Sequence, residues 1–251
     1  MRKLVIVVLC LFLSVSAFAG VVVKPFGGYT MVSNAVMNRM IDAIVESSWS
    51  SIPSDVELKK NYFRDAYLAG VDVAYELLPG FDVGVRGEYI GSYGEAKARR
   101  KVFPYESESF EFPAGTLPVL AGVSYTYGIS GSPFSIGAEA YAGYGFANIT
   151  ILSRSTNYDG LVNMVAMAPC YGGGFVLDSA VKFAYTLSDK FALTLNTGYR
   201  QAKVNQIRAV KDTSGGMFTF TKNEVIEGPD GTPIVLDFSG LILNLALSIN
   251  F

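Results

Sequence analysis

Acidic and basic side chains gather on one parity of this chain: Asp72, Glu76, Asp82, Glu88, Glu139 and Asp178, with Arg86, Lys182 and Arg200 and with Lys24 as a further candidate. On one face of a sheet such a set could pair off in an enclosed space, line a narrow path whose ion pairs exchange, or offer two carboxylates as acid and base. The chain has no histidine, so the commonest general base and metal ligand is missing. A second set is the basic run Lys97, Arg99, Arg100 and Lys101, followed by Phe103-Pro104-Tyr105 and then Glu106, Glu108 and Glu111. A strand out and a strand back would set its basic edge against its acidic edge. Left unpaired, the basic cluster would suit phosphate groups or another polyanion. The three glutamates are only a weak Ca²⁺ signal, because alternating acids in a loop are ordinarily solvated; no metal and no cofactor is implied. The third set is an apolar stripe at helical spacing within residues 33–50: Val36, Met37, Met40, Ile41, Ile44 and Val45, with Trp49 beyond it and Ser33 or Asn34 available as a cap. Such a stripe either packs over other elements or presents Met40, Ile44 and Trp49 to lipid, a hydrophobic ligand or a host surface.

The elements that position these residues follow from composition and period. Of 251 residues, 50% are apolar and only 17% charged, against about 25% charged in an average globular chain. A net charge of -2 gives no case for nucleic acid. Arg2 and Lys3 precede the apolar run from Leu4 to Val15, and Ala17-Phe18-Ala19 supplies a small-residue cleavage site, so residues 1–19 read as a secretory signal peptide and 20–251 as the mature protein. Cys10 lies inside the apolar run, which argues against a lipoprotein signal. Cleavage would remove Arg2 and Lys3, leaving 18 basic against 22 acidic side chains. Cys170 would then be alone, without an intramolecular disulfide partner.

From residue 21 onward apolar residues alternate with polar or small ones. Tyr67, Ala69, Val71, Val73, Tyr75 and Leu77 share one face; Gly70, Asp72, Ala74 and Glu76 share the other. After Pro79-Gly80, Phe81, Val83, Val85, Gly87 and Tyr89 oppose Asp82, Gly84, Arg86 and Glu88. Further apolar faces span 117–127, 136–146, 175–185, 191–199 and 241–251, and a first strand near 21–31 makes eight. The pairs Tyr67/Tyr75, Phe81/Tyr89, Phe175/Phe183 and Phe191/Tyr199 are each eight residues apart, roughly 26 Å of strand. Tilted by about 40°, that spans ~20 Å, close to the ~25 Å apolar band between the aromatic girdles of a membrane barrel. Backbone in lipid must be paired, so the strands are expected to close. A soluble lipocalin-like barrel is the rival; it would tolerate charge on its outer face. Short links at 78–80, 130–133 and 188–190 alternate with long ones at about 33–62, 93–114, 152–172 and 205–236. In bacterial barrels this arrangement puts the turns and both termini in the periplasm. In the last long link, Met217 to Thr221 and the turn signal Pro229-Asp230-Gly231-Thr232 read as a lengthened final hairpin.

The alternating strands, the leader and the terminal Leu241-Ile242-Leu243-Asn244-Leu245-Ala246-Leu247-Ser248-Ile249-Asn250-Phe251 resemble the small eight-stranded bacterial outer-membrane β-barrels of the OmpA, OmpX and OmpW type. The resemblance implies an all-β, eight-stranded antiparallel up-and-down transmembrane barrel, here with a short helix in the first outer loop. It implies that Leu245, Leu247, Ile249 and Phe251 form the signal read by the barrel-assembly machinery. It also implies a monomer integral to the outer membrane, in contact with its lipid and lipopolysaccharide. Enzymes among such barrels rely on a catalytic histidine, so the resemblance points to a non-enzymatic protein. Eight strands leave room only for side chains inside, which favours a structural or surface-adhesion barrel meeting a host or extracellular ligand through four long loops. The alternative is a narrow conduit or binding barrel for small or hydrophobic solutes, suggested by the glycines of the inner face (Gly70, Gly84, Gly122, Gly137, Gly143 and Gly145) and the apolar helix.

Overall fold

The computed structural model describes residues 20–32, 34–49, 56–100, 107–156, 162–215, 218–228 and 230–251; the expected leader at 1–19, Ser33 and Lys101 lie outside the described residues. The chain runs through β1 (Val21–Met31), helix α1 (Ala35–Trp49), β2 (Val56–Asn61), β3 (Asp65–Leu78), β4 (Phe81–Arg100), β5 (Ser107–Gly128), β6 (Phe134–Thr156), β7 (Val162–Ser188), β8 (Phe191–Ala209), β9 (Thr213–Gly215), β10 (Phe218–Phe220), β11 (Leu236–Asp237) and β12 (Gly240–Asn250). Strands β1, β3 to β8 and β12 pair antiparallel in a closed ring of eight, which β12 completes by bonding β8 on one side and β1 on the other. Tight turns fit the short links: Gly80 (φ 76°) and Gly131 (φ 74°) adopt the left-handed backbone that glycine takes without strain, and the Glu76 carboxylate accepts the Gly80 N–H at 2.8 Å.

Register fixes the barrel's shape. The path of facing residues from Val22 through Ala74, Gly84, Gly122, Tyr141, Asp178, Arg200 and Gly240 returns to β1 ten residues above its start. Ten residues of stagger over eight strands tilt each strand by roughly 40°. The 11-residue strands β1 and β12 then rise roughly 27 Å, whereas β7, with 27 residues, rises more than twice as far. The wall is therefore low at β1 and β12 and high across β4 to β8.

The two faces of this wall exchange character part-way up. Near the termini the outer face is apolar and uncharged, with Tyr75, Tyr125, Tyr127, Phe134, Tyr185 and Phe191 around the turn end and Tyr67, Tyr89, Tyr144, Phe146, Phe175 and Tyr199 in a second ring above. Beyond that ring the outward positions become Glu95, Lys97 and Arg99 on β4, Asn148, Thr150 and Arg154 on β6, and Lys203 on β8. The inner face changes the other way. Its lower part buries Asp72, Arg86, Glu88, Glu139, Asp178 and Arg200, and its upper part buries Leu68, Ile90, Phe110, Phe112, Ile149, Ile151, Val204 and Ile207. Two solvents account for this: hydrocarbon outside the lower wall, water outside the upper.

This inversion explains one departure from expectation. Most of 93–114 and 152–172 is strand rather than loop, because β4 to β7 continue upward as a water-facing extension of the barrel. Helix α1 closes the low side of the extension, and most of its stripe is used: Met37 and Ile41 are 0% exposed, Met40, Ile44, Val45 and Trp49 lie in the same core, and Val36 is half-buried. The chain after β10 returns across the opening. Ile226 N–H bonds Ile207 O at 2.8 Å, Ile234 N–H bonds Ile226 O at 2.8 Å, and Ile226, Ile234, Leu236 and Phe238 are buried. The last long link thus includes the short hairpin β9–β10 followed by a strap that packs inward.

Inner-face glycines let the wall close on bulky neighbours. A Cβ at Gly122 would lie 2.2 Å from Ala140 O and 2.5 Å from the Tyr141 ring, whereas one at Gly128 would meet nothing within 4 Å. Gly122→Val is expected to lower unfolding stability in lipid vesicles by about 1–3 kcal/mol. Gly128→Ala should stay within about 0.5 kcal/mol of the parent, and urea-unfolding midpoints read by heat-modifiable gel migration measure both.

Candidate functional site

The inward parity converges on two arginines. Asp72 faces Arg86 across β3–β4, and Asp178 faces Arg200 across β7–β8. Arg200 makes a forked pair with Asp178, Nε to Oδ1 at 2.7 Å and Nη2 to Oδ2 at 2.6 Å, and donates Nη2 to Glu88 at 2.6 Å. Arg86 Nη2 donates to Glu139 at 2.8 Å and to Asp72 at 3.3 Å, while its Nη1 lies 3.9 Å from Asp178. Asp178 thereby joins both clusters. Two aromatic residues complete the layer. Tyr141 donates its hydroxyl to Asp72 at 2.6 Å, and the Arg86 guanidinium lies 3.9 Å from the centroid of its ring and 5.2 Å from that of Phe26. Desolvation makes these cation–π contacts worth more than exposed ones.

A second tier lies toward the turn end. Lys24 and Ser124 both donate to Asp82 Oδ2, at 3.3 and 3.0 Å, and Lys182 donates to Ser124 Oγ at 3.2 Å. On the other side Asn196 donates to Asn244 at 2.8 Å. Of the ten inward candidates, nine join these two tiers. Glu76 does not: it is exposed at the turn end, bound to the Gly80 backbone. The charge pattern alone misses Phe26, Ser124, Asn196 and Asn244, and above all Tyr141. Its signal was present in the sequence as the one large side chain on the parity Gly137, Glu139, Tyr141, Gly143, Gly145.

Above the ionic layer sits the cap. Asp42 of α1 accepts Lys60 Nζ and Tyr62 Oη, both at 2.6 Å, and Asn38 clamps Phe63, accepting its N–H at 2.8 Å and donating to its O at 3.2 Å. Trp49 donates Nε1 to Glu108 at 3.0 Å and tilts against Phe110. Met40, Ile44 and Trp49 are therefore seal, not free surface. Of the two cap candidates, Asn34 makes no capping bond, its Oδ1 being buried without a partner among the described residues, and Ser33 lies outside them. Each buried apolar side chain of the stripe contributes about 1.5–3 kcal/mol, and the part-exposed Lys60–Asp42 pair at most about 1 kcal/mol. Burial closes the cap, and the polar contacts orient it.

The basic run is split by register. Lys97 and Arg99 face outward, Lys97 opposite Ser109 and Lys59, Arg99 opposite Ser107 and Glu57. Arg100 lies opposite Val56 and continues β4 on the other parity; its side chain, like Lys101, lies outside the described residues. Among the described residues the expected pairing of basic with acidic edge does not form, since Glu108 meets Ala98 and Glu111 meets Glu95; Glu106, like Lys101, lies outside them. Glu111 instead has Arg154 of β6 at 3.9 Å. In the assembly-signal candidate, Leu245 and Leu247 point outward from β12, Ile249 is half-buried, and Phe251 ends the chain with its N–H on Val21 O.

No protein-family model and no curated protein sequence matches the chain. Among solved structures it is similar to Neisserial surface protein A (10% identity, 93% of this chain and 98% of that one, TM-score 0.39). It is also similar to OprG, an outer-membrane protein from Pseudomonas aeruginosa (11%, 93% and 96%, 0.39). A third similar structure is Ail, the attachment invasion locus protein of Yersinia pestis, solved in complex with the heparin analogue sucrose octasulfate (8%, 92% and 100%, 0.38). Its own closed register and uncharged outer belt make the chain an eight-stranded membrane β-barrel.

Removing one partner from the ionic layer strands a buried charge. Arg200→Met is expected to cost about 3–5 kcal/mol, and Arg200→Met combined with Asp178→Leu and Glu88→Leu to recover most of that loss; urea unfolding in vesicles compares them. The cap carries a pH dependence of its own. The Lys60 ammonium, followed by the Tyr62 hydroxyl, holds the Asp42 carboxyl below its usual range. A lowered pKa stabilises the folded form above the free-carboxyl value and loses that contribution as pH falls through the folded value. Acrylamide quenching of Trp49, the single tryptophan, should rise below about pH 4 in the parent. In Asp42→Asn it should be higher at pH 7 and change less on acidification.

Proposed function

We propose that this protein is a non-enzymatic barrel of the bacterial outer membrane whose lumen is closed and whose working surface is its exterior at the loop end. Residues 1–19 act as its export signal, the terminal strand with Leu245, Leu247, Ile249 and Phe251 addresses the assembly machinery, and both termini lie in the periplasm. The upper extension and cap then face the outside of the cell, meeting lipopolysaccharide and external ligands. The observation that carries this reading is the double closure of the interior. Arg200, Glu88, Asp178 and Arg86 are buried within a cross-linked layer, and directly above them Ile90, Phe110, Phe112, Leu236, Phe238 and helix α1 form an apolar core. A conducting path would have to break both.

The adhesion or interaction role follows from where chemistry remains accessible. With Met40, Ile44 and Trp49 buried, the charged outer wall with Glu95, Lys97, Arg99 and Arg154 and the exposed aromatic ring beneath it are what a partner meets. In planar bilayers the parent barrel should give no resolved single-channel steps, and Asp178→Ala should give none either, because the apolar core stays intact above the layer. Steps in the parent would favour the conduit reading.

A further inference from the structure

The wall is broken at one place. β2 and β3 both pair with β4, but β2 ends with Asn61 opposite Glu95 and β3 resumes with Ala66 opposite Ser92. Between them Tyr62, Phe63 and Arg64 leave the sheet, so Tyr93 and Gly94 lose their partners on that side. The inner side of the break is filled: Phe63 is 1% exposed and lies where a Gly94 Cβ would sit, 2.3 Å away. The outer side is a groove of about 540 Å³ at the upper aromatic ring, within the roughly 300–1,000 Å³ of small-molecule sites.

Its lining has a distinct chemistry. Four tyrosines, Tyr62, Tyr67, Tyr89 and Tyr93, surround it, and Tyr67 is 75% exposed. The trough between them comes from small residues: Gly91 and Pro113 line it, and a Cβ at Gly91 would meet the Tyr89 ring at 3.1 Å. Polar groups enter from four strands, with Asn61 of β2 and Asp65 of β3 on one side, Ser92 of β4 on the floor and Asn148 and Thr150 of β6 opposite. Asp65 is anchored rather than mobile, accepting the Tyr29 hydroxyl on its carboxylate and the Ser92 hydroxyl on its backbone oxygen. Charge nearby does not favour an anion. Glu95 and Glu111 flank the upper end, Arg154 pairs with Glu111 at 3.9 Å, and Arg64 lies 5.7 Å from the Tyr62 ring, so with Asp65 the carboxylates around the groove at least match the cations. Aromatic faces with fixed hydroxyl, amide and carboxylate partners, and no excess of positive charge, suit an uncharged ring that carries many hydroxyl groups.

We infer that this groove binds a neutral saccharide, its C–H face stacked on the tyrosines and its hydroxyls held by Asp65, Asn61, Asn148 and Thr150. It rests on the preceding section only in taking the outer wall as the working surface, and the conductance measurement stands or falls separately. The sugar could be part of the membrane's own glycolipid or an external oligosaccharide; the chemistry is shared.

The test uses the folded barrel in lauryldimethylamine oxide, which has no sugar headgroup, with maltotriose, triacetylchitotriose and choline as probes in saturation-transfer NMR. At least one trisaccharide should receive saturation, and Tyr67→Ala and Asn148→Ala should each weaken its binding about tenfold. Tyr127→Ala, in the lower ring, should not change it, and heat-modifiable migration verifies that each variant is folded. A second arm places the barrel in bilayers of lipopolysaccharide with its full core or of lipid A without core sugars. Core-dependent protection of Tyr67 from iodination, lost in Asn148→Ala, assigns the groove to membrane glycolipid; saturation of the soluble sugar without such protection assigns it to an external one. No saccharide signal in either arm, sugar binding unchanged in both variants, or binding of choline alone would overturn the inference.

Discussion

Hydrocarbon leaves no place for an unpaired peptide group, and everything else in this molecule depends on that. An open eight-stranded sheet would carry two unpaired edges into lipid. Here β12 bonds β8 and β1 at once, so no membrane-level edge remains. Closure with ten residues of stagger sets the diameter, and the diameter admits side chains but little else. Once the interior is that narrow, side chains at crowded inner positions must be small and inner polar groups must find partners inside. Glycines meet the first requirement where neighbouring backbones crowd, and the tiers around Arg200, Arg86 and Asp82 meet the second in part, leaving Arg86 Nε and Nη1, Arg200 Nη1, Asp72 Oδ1 and Glu88 Oε2 buried without a hydrogen bond among the described residues.

The same wall then enters water, where the polarity of its faces must reverse. Below the upper aromatic ring, charge is tolerable only inside; above it, charge belongs outside and a core can form inside. Strands β4 to β8 cross that boundary without interruption. Burial of Ile90, Phe110, Phe112, Ile207, Phe238 and the α1 stripe gives the upper part a core like that of a soluble protein. The ionic layer just beneath contributes less net stability than its ion-pair count suggests, because desolvation offsets much of the attraction. Its two guanidiniums face four carboxylates, so what it supplies is cross-linking of β3, β4, β6, β7 and β8 rather than charge balance. The apolar core is the stronger seal.

Much of this was legible in the sequence. Period-two alternation located the eight strands, with β1 spanning the expected residues, and the eight-residue aromatic interval marked both rings. The helix stripe gave α1 to within a residue or two. What the sequence concealed was longer in range. Residues 93–114 look like a loop because charges appear on what had been the apolar parity. Yet Glu95, Lys97 and Arg99 still alternate with Ala96 and Ala98, the same period with its faces exchanged. The partners of each inner acid were set by register, which joined Glu139 to Arg86 and left Asp178 and Glu88 with Arg200. The strap was concealed because turns at Lys222-Asn223 and Asp230-Gly231 cut it into pieces too short to read as a strand, although Ile226, Ile234, Leu236 and Phe238 keep one parity.

The exchange of faces at the upper ring is the central claim, and spin-label accessibility along the outward positions of β4 in a bilayer tests it most directly. Labels at Val83, Val85 and Gly87 should be accessible to oxygen and shielded from a polar nickel chelate, with the preference reversed at Glu95, Lys97 and Arg99. Uniform access of the chelate from residue 83 to residue 99 would describe a barrel that lives wholly in water and would contradict the account.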